Sequence, residues 1–299
     1  MTVMPFFGEF AALFTAMLWS GSSMVFAAAT ARIGSLQVNI SRLLMATTYL
    51  GIVILLFGLP VALSGRQIGN LAVSGIIGLA LGDTFLFKAF KEMGARITML
   101  IMSLAPAVTA ALGYVFLGES LSTHAVLGMM ITILGIAIVV VDRRAPNSGR
   151  SSWSVEGLAF GLLAAVGQGV GLIFAKMAFR EGEINGFVAT LVRILSSLVL
   201  LIPGLLASGR WVSPVLTFSR DRRALLLTAV GSILGPFLGI SFSLIAISHT
   251  SVAVAATLMA TVPILMLPLV RIFHHERLSW KSIAGAFVAV FGVALLFLR

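Results

Sequence analysis

Asp83 lies deep inside an apolar run, in the segment Gly82-Asp83-Thr84-Phe85. A carboxylate at such depth in hydrocarbon is costly, so a residue of this kind faces a cavity or a partner and serves substrate binding or proton exchange. Asp83 is therefore the first candidate for a substrate or coupling site, and pairing with a basic neighbour is the structural alternative. Lys88 follows on the same run. At 100° per residue it stands about 140° around a helix from Asp83, so the two need not pair. Lys88 either snorkels toward the interface beside Lys91 or lines the same cavity.

Further candidates sit in neighbouring runs. Trp19 and Ser22 belong to a small and polar group, Trp19-Ser20-Gly21-Ser22-Ser23, midway along the first run; its counterpart in the second half is Gly167-Gln168-Gly169. Such residues line a wet cavity or bond across helices. Met102, Gln168 and Thr257 complete the set of lining candidates. Arg42 and Arg193 occupy corresponding early positions in the second and seventh runs. At that depth an arginine reaches the headgroups or closes a helix end, so both read as structural polar groups, with substrate binding as the alternative. Glu119 and Glu276 end the fourth and ninth runs just before paired Leu-Ser sequences, and read as caps of neighbouring helix ends. Pro106 and Pro263 lie inside those same runs, where each removes a backbone donor and kinks a helix; as a matched pair they are candidate gating elements.

Catalysis needs paired acids, a metal motif or a nucleophile with a base, and none appears at a suitable spacing. His124, His249, His274 and His275 are scattered at run ends without the spacing or carboxylate partners of a zinc site. No metal and no cofactor is expected, and no catalytic residue is assigned. The absence of cysteine removes disulfides and thiolate metal sites.

The elements that position these residues follow from composition. The chain is 59% hydrophobic and 10% charged, against roughly one-quarter charged for a soluble domain. Apolar stretches of about 20 residues recur from end to end, each long enough to cross a hydrocarbon core of about 30 Å. They are too long and too continuously apolar for a membrane barrel, so helices are required. Spans are expected near Glu9 to Ala31, Val38 to Leu63, Leu71 to Ala89, Ile97 to Leu117 and Leu121 to Val141. The second half repeats them near Val155 to Ala178, Phe187 to Ala207, Ala224 to Ile247, Val252 to Phe273 and Trp280 to Leu298. The first stretch lacks a basic leader and runs on at full length, so it reads as a span rather than a cleavable signal.

The halves are copies. A shift of 157 positions, the separation of Pro106 and Pro263, lays Gly78 on Gly235, Gly82 on Gly239, Glu119 on Glu276, Gly128 on Gly285 and Gly135 on Gly292 without a gap. Asp83 falls on Ile240, so the acid has no repeat mate. The fold expected is an all-α integral membrane protein of ten helices in two five-helix repeats, residues 1–142 and 155–299, joined by a linker at 143–154 rich in turn residues. An odd number of spans per repeat makes the repeats inverted, the usual basis of alternating access around a midplane site. Ser74, Gly78 and Gly82, with Gly231, Gly235 and Gly239, place small residues at four-residue intervals for close helix crossings.

The net charge of +10 sits in short connections, where it sets topology rather than nucleic-acid binding. Most Lys and Arg fall after odd-numbered spans, which the positive-inside bias assigns to the cytoplasm, with both termini outside.

On Trp19-Ser20-Gly21, Arg42, Pro106, Gly118-Glu119-Ser120-Leu121-Ser122, Pro263, Glu276-Arg277-Leu278-Ser279, Gly285 and Gly292, the chain resembles the EamA family of the drug/metabolite transporter superfamily over nearly its whole length. It departs from the pattern at Gly167-Gln168, in place of an aromatic, and at His275, in place of a glycine. The resemblance implies ten helices, a central cavity built mainly from the first, third, fourth, sixth, eighth and ninth, and a peripheral fifth and tenth. It also implies a multi-pass protein of a bacterial-type inner membrane, with termini in the cytoplasm. The function expected is secondary active export of a small metabolite, such as an amino acid or related amphiphile, with proton coupling. The partners are that small molecule, protons and the lipid bilayer, with no nucleic acid, in a monomer or homodimer. The alternatives are an intramembrane enzyme acting on a lipid or prenyl chain, and a scaffold that transports nothing.

Overall fold

Within a bilayer no water satisfies backbone N–H and C=O groups, so apolar runs of this length close their hydrogen bonds internally as helices. The computed structural model describes residues 6–117, 123–141, 154–209, 211–250, 255, 258–273 and 279–297. Its helices are α1 (Phe7–Ile33), α2 (Ser35–Leu56), α3 (Gly65–Gly75), α4 (Asp83–Met102), α5 (Ala105–Leu117) and α6 (Thr123–Val141). The second half holds α7 (Val155–Arg180), α8 (Gly186–Ala207), α9 (Pro214–Arg220), α10 (Arg222–Ser232), α11 (Ile240–His249), α12 (Val262–Phe273) and α13 (Trp280–Phe297). Two π-helical segments, Ile76–Gly82 and Ile233–Gly239, join α3 to α4 and α10 to α11. Among the described residues 6 helical stretches are long and apolar enough to cross a membrane, and shorter apolar helices accompany them.

Local structure repeats with the register of the sequence. α3 and α10, and the two π segments, begin and end at positions 157 apart. Ser64 caps α3 by accepting from the Gln67 backbone N–H at 3.2 Å, while its own N–H donates to Gln67 Oε1 at 2.9 Å. Its counterpart Asp221 caps α10, accepting from the Ala224 N–H at 2.9 Å. Asp221 also takes two hydrogen bonds from Arg32, at 2.8 and 3.1 Å. Those bonds, with the Ala224 N–H behind them, hold its carboxyl below the usual carboxylate range.

Third- and fourth-span geometry differs from expectation in three ways. The third span starts at Gly65 rather than Leu71, because the Ser64 cap nucleates the helix earlier. The stretch Gly65–Met102 is 38 residues, about 57 Å at 1.5 Å per residue, too long for one crossing. Gly94 breaks it with φ 75°, a left-handed conformation that glycine takes without a Cβ penalty. Pro106 and Pro263 do not kink continuous helices: each is the second residue of a new helix, α5 or α12, just after a turn. There the missing N–H is one that the first helical turn leaves unused. The short α9, begun by Pro214 at its first turn, was not expected from apolar periodicity.

Packing inside the bundle rests on small residues. Ser74 Oγ donates to the Gly171 carbonyl at 2.6 Å, and a Cβ on Gly167 would stand 2.8 Å from Gly82 Cα. α3, the first π segment and α7 thus meet backbone to backbone. α6 and α13 pair at the periphery, where Thr132 Oγ1 donates to the Ala289 carbonyl at 3.3 Å across two positions 157 apart. Leucine and phenylalanine side chains such as Leu55, Leu56, Phe57 and Phe10 point outward, as lipid permits at no cost.

Candidate functional site

One cavity in the interior is lined from both halves. Its empty space, counting the open mouth, is about 1040 Å³. α1 contributes Trp19, Ser22, Ser23 and Phe26; α4 contributes Asp83, Phe87, Phe90 and Met102; α7 contributes Gln168. Pro106 and Pro263 flank it at the starts of α5 and α12. Its walls are chiefly apolar and aromatic, and its charged lining residues are Arg42, Asp83 and Arg193.

Both arginines are buried, Arg42 at 4% and Arg193 at 2% exposure. Neither reaches the membrane surface. Each lies two turns into its helix, on the face turned to the bundle interior, and that corrects the headgroup reading of these positions. The cavity is also wider in origin than the resemblance implied, since α2 and α8 enter its wall through these two side chains.

Arg42 is tied on every side. Its Nη2 donates to Asp83 Oδ2, and Nε and Nη2 donate to Asn39 Oδ1 at 3.1 and 3.0 Å. Asn39 in turn donates to Thr84 Oγ1 at 3.0 Å and to the Leu79 carbonyl at 3.4 Å. The guanidinium lies 4.8 Å from the Phe87 ring centroid and 5.7 Å from that of Phe26, a placement that favours a delocalised cation. Asp83 sits at the first residue of α4, directly after the π segment. A π turn inserts a residue into the helical register and so re-aims the side chains that follow.

The second half has the same scaffold with the acceptors removed. Ser241, the mate of Thr84, donates to Thr190 Oγ1 at 3.3 Å, as Asn39 and Thr84 bond in the first half. Ile240 stands in place of Asp83 at the shift of 157, and Thr190 in place of Asn39 at the shift of 151 that relates Arg42 to Arg193. Arg193 Nε is buried without a hydrogen-bond partner among the described residues, and no carboxylate there forms an ion pair with this side chain. A Cβ on Gly78 would come within 3.3 Å of Arg193 Nη2 and 3.9 Å of Gln168 Oε1, so glycine leaves open the corner these two groups share.

Of the sequence candidates, the structure gathers Asp83, Trp19, Ser22, Met102, Gln168, Arg42, Arg193, Pro106 and Pro263 around one space. Lys88 is elsewhere: its Nζ lies 5.5 and 5.1 Å from the centroids of Phe85 and Phe160. Thr257, Glu119 and Glu276 lie outside the described residues. Asn39 and Thr84 escaped the sequence reading. Their signal was spacing, since Asn39 and Arg42 are three apart on one helix face and therefore neighbours.

The model of the EamA-like transporter family matches residues 6–141 and again 155–298. A protein of Archaeoglobus fulgidus described as an uncharacterized transporter is 23% identical over 287 residues, covering 96% of each chain. A Clostridium kluyveri protein of the same description is 22% identical over 77% of this chain and 72% of its own. A solved crystal structure superposes with TM-score 0.70 at 16% identity, covering 96% of this chain and 95% of the other, which establishes likeness of fold.

Proposed function

The chain belongs to the EamA-like transporter family, and from that premise we propose that it carries a small amphiphilic metabolite, of the size of an amino acid, out of the cell by alternating access. Membership makes it a multi-pass membrane transporter of the drug/metabolite superfamily and points away from an enzyme. The proposal adds ten spans in two inverted repeats, residues 1–142 and 155–299 about a linker at 143–154, in a bacterial inner membrane. One observation carries it: an interior cavity takes charged side chains from both halves, Arg42 and Asp83 from one and Arg193 from the other. Inverted halves can exchange shapes and open such a space to each side in turn.

Protons are the proposed coupling ion and Asp83 their site. A proton on Asp83 and the ion pair with Arg42 compete for the same carboxylate, so pairing and proton loading exclude one another. Flux of solutes into liposomes carrying the purified protein, with and without a pH gradient, tests both levels. Asp83→Asn should abolish stimulation by the gradient; stimulation that survives removes the proton role. Impermeant labelling of cysteines at Phe6 and Val155, both outward-facing, should reach opposite sides of the membrane. Labelling of both from one side contradicts inversion.

A further inference from the structure

We infer that the cargo is a singly charged organic anion, a carboxylate on an apolar body, and that Arg193 is its receptor; this rests on the transporter reading above and narrows its substrate class. The cavity's charged lining residues are two guanidiniums and one carboxylate. The carboxylate makes its close ion pair with Arg42 and lies within electrostatic reach of Arg193 as well, so the three groups sum to one positive charge, and Arg193 is the guanidinium without an ion-pair contact among the described residues. A buried guanidinium whose Nε lacks a hydrogen-bond partner among the described residues is costly, and a ligand that brings an anionic acceptor offsets that cost. Its planar fork of donors suits a carboxylate.

The same layout disfavours other charge types. An ammonium group would find the acid of this lining already held by Arg42, which Asn39 anchors in place. A doubly charged phosphate would exceed the one free positive charge. Phe26, Phe87, Phe90, Met102 and Trp19 supply an apolar and aromatic wall for the rest of the molecule, and Gln168 shares the corner where Arg193 ends.

The test uses the full chain in detergent micelles. Benzoate, 3-phenylpropanoate and octanoate are each titrated against the primary amide of the same skeleton. Phenylalanine serves as zwitterion and phenyl phosphate as dianion, with binding read by calorimetry or thermal shift. At least one carboxylate should bind about tenfold or more tightly than its amide, as a charge-assisted pair warrants. Arg193→Gln should erase that preference, bringing acid and amide to similar affinity, while Arg193→Lys should keep part of it. Should Arg193→Gln fail to fold, the comparison of acid with amide on the unaltered protein still decides. The inference is overturned if no carboxylate in the panel outbinds its amide, if phenylalanine or phenyl phosphate binds more tightly than every monocarboxylate, or if Arg193→Gln retains the preference. Flux separates the two levels: exchange of neutral or zwitterionic solutes without preference for carboxylates sinks this inference and leaves the transporter standing. Carboxylate binding with no flux of any compound does the reverse.

Discussion

Arg42 and Arg193 occupy corresponding positions of their helices, yet the first is hydrogen-bonded to Asp83 and Asn39 while the Nε of the second is buried without a hydrogen-bond partner among the described residues. Two exchanges account for the difference, Asp83 for Ile240 and Asn39 for Thr190. The surrounding frame is kept: the π segments match in register, and the bond of Asn39 to Thr84 has its parallel in that of Ser241 to Thr190. Duplication supplied two equal cationic posts inside a membrane. The one in the first half is paired with a carboxylate, and the one in the second forms no ion-pair contact among the described residues.

Making the halves differ less should have graded effects. The largest follows from removing the acid: Asp83→Ala strands the Arg42 charge and should destabilise the fold by about 3–5 kcal/mol, read as a steep fall in the thermal midpoint. Replacing Arg42 by methionine in the same protein should recover much of that loss, since no charge is then left unpaired. Installing an acid in the other half, Ile240→Asp, should do the opposite. Arg193 gains an internal partner, the midpoint holds or rises, and carboxylate binding weakens about 10- to 100-fold. Copying the second difference, Asn39→Thr, removes two hydrogen bonds to a charged group, and a loss of about 1.5–3 kcal/mol is expected.

The smallest effect lies outside the membrane. Because Arg32 and the Ala224 N–H hold Asp221 below the ordinary carboxylate value of 3.8, the contribution of this pair is present at neutral pH. It fades as pH falls below about 4 toward the folded-state value. Asp221→Asn should lower the midpoint slightly at pH 7 and flatten its acid limb, with a small amplitude because the pair is partly exposed. An unchanged acid limb would show that the ionised Asp221 carboxylate contributes no pH-dependent stability.

Much of this was legible before any coordinate. Apolar length gives the helical membrane character, and a shift of 157 finds in sequence the register in which α3, α10 and both π segments begin and end. Asp83, Trp19, Ser22 and Gln168 stood out by being polar or large where the chain is otherwise small and apolar, and all line the cavity. The arginines read as structural polar groups, with headgroup contact, helix-end closure and substrate binding all open, because sequence depth tells how far along a helix a residue sits, not which way it faces. Arg42 faces inward because Asn39 and Asp83 await it there, and that pairing joins residues 41 apart in sequence. The break before Pro106 also eluded apolar pattern: a proline in a run looks the same whether it kinks one helix or opens the next.

The chain has no cysteine, so a single one at Ser243, which lines the cavity, reports on access without background. Oriented vesicles bearing Ser243→Cys would be treated with a membrane-impermeant thiol reagent from each side, with and without 3-phenylpropanoate or its amide. The account predicts modification from both sides, slowed by the carboxylate and not by the amide. Modification from one side alone, under every condition, would contradict it.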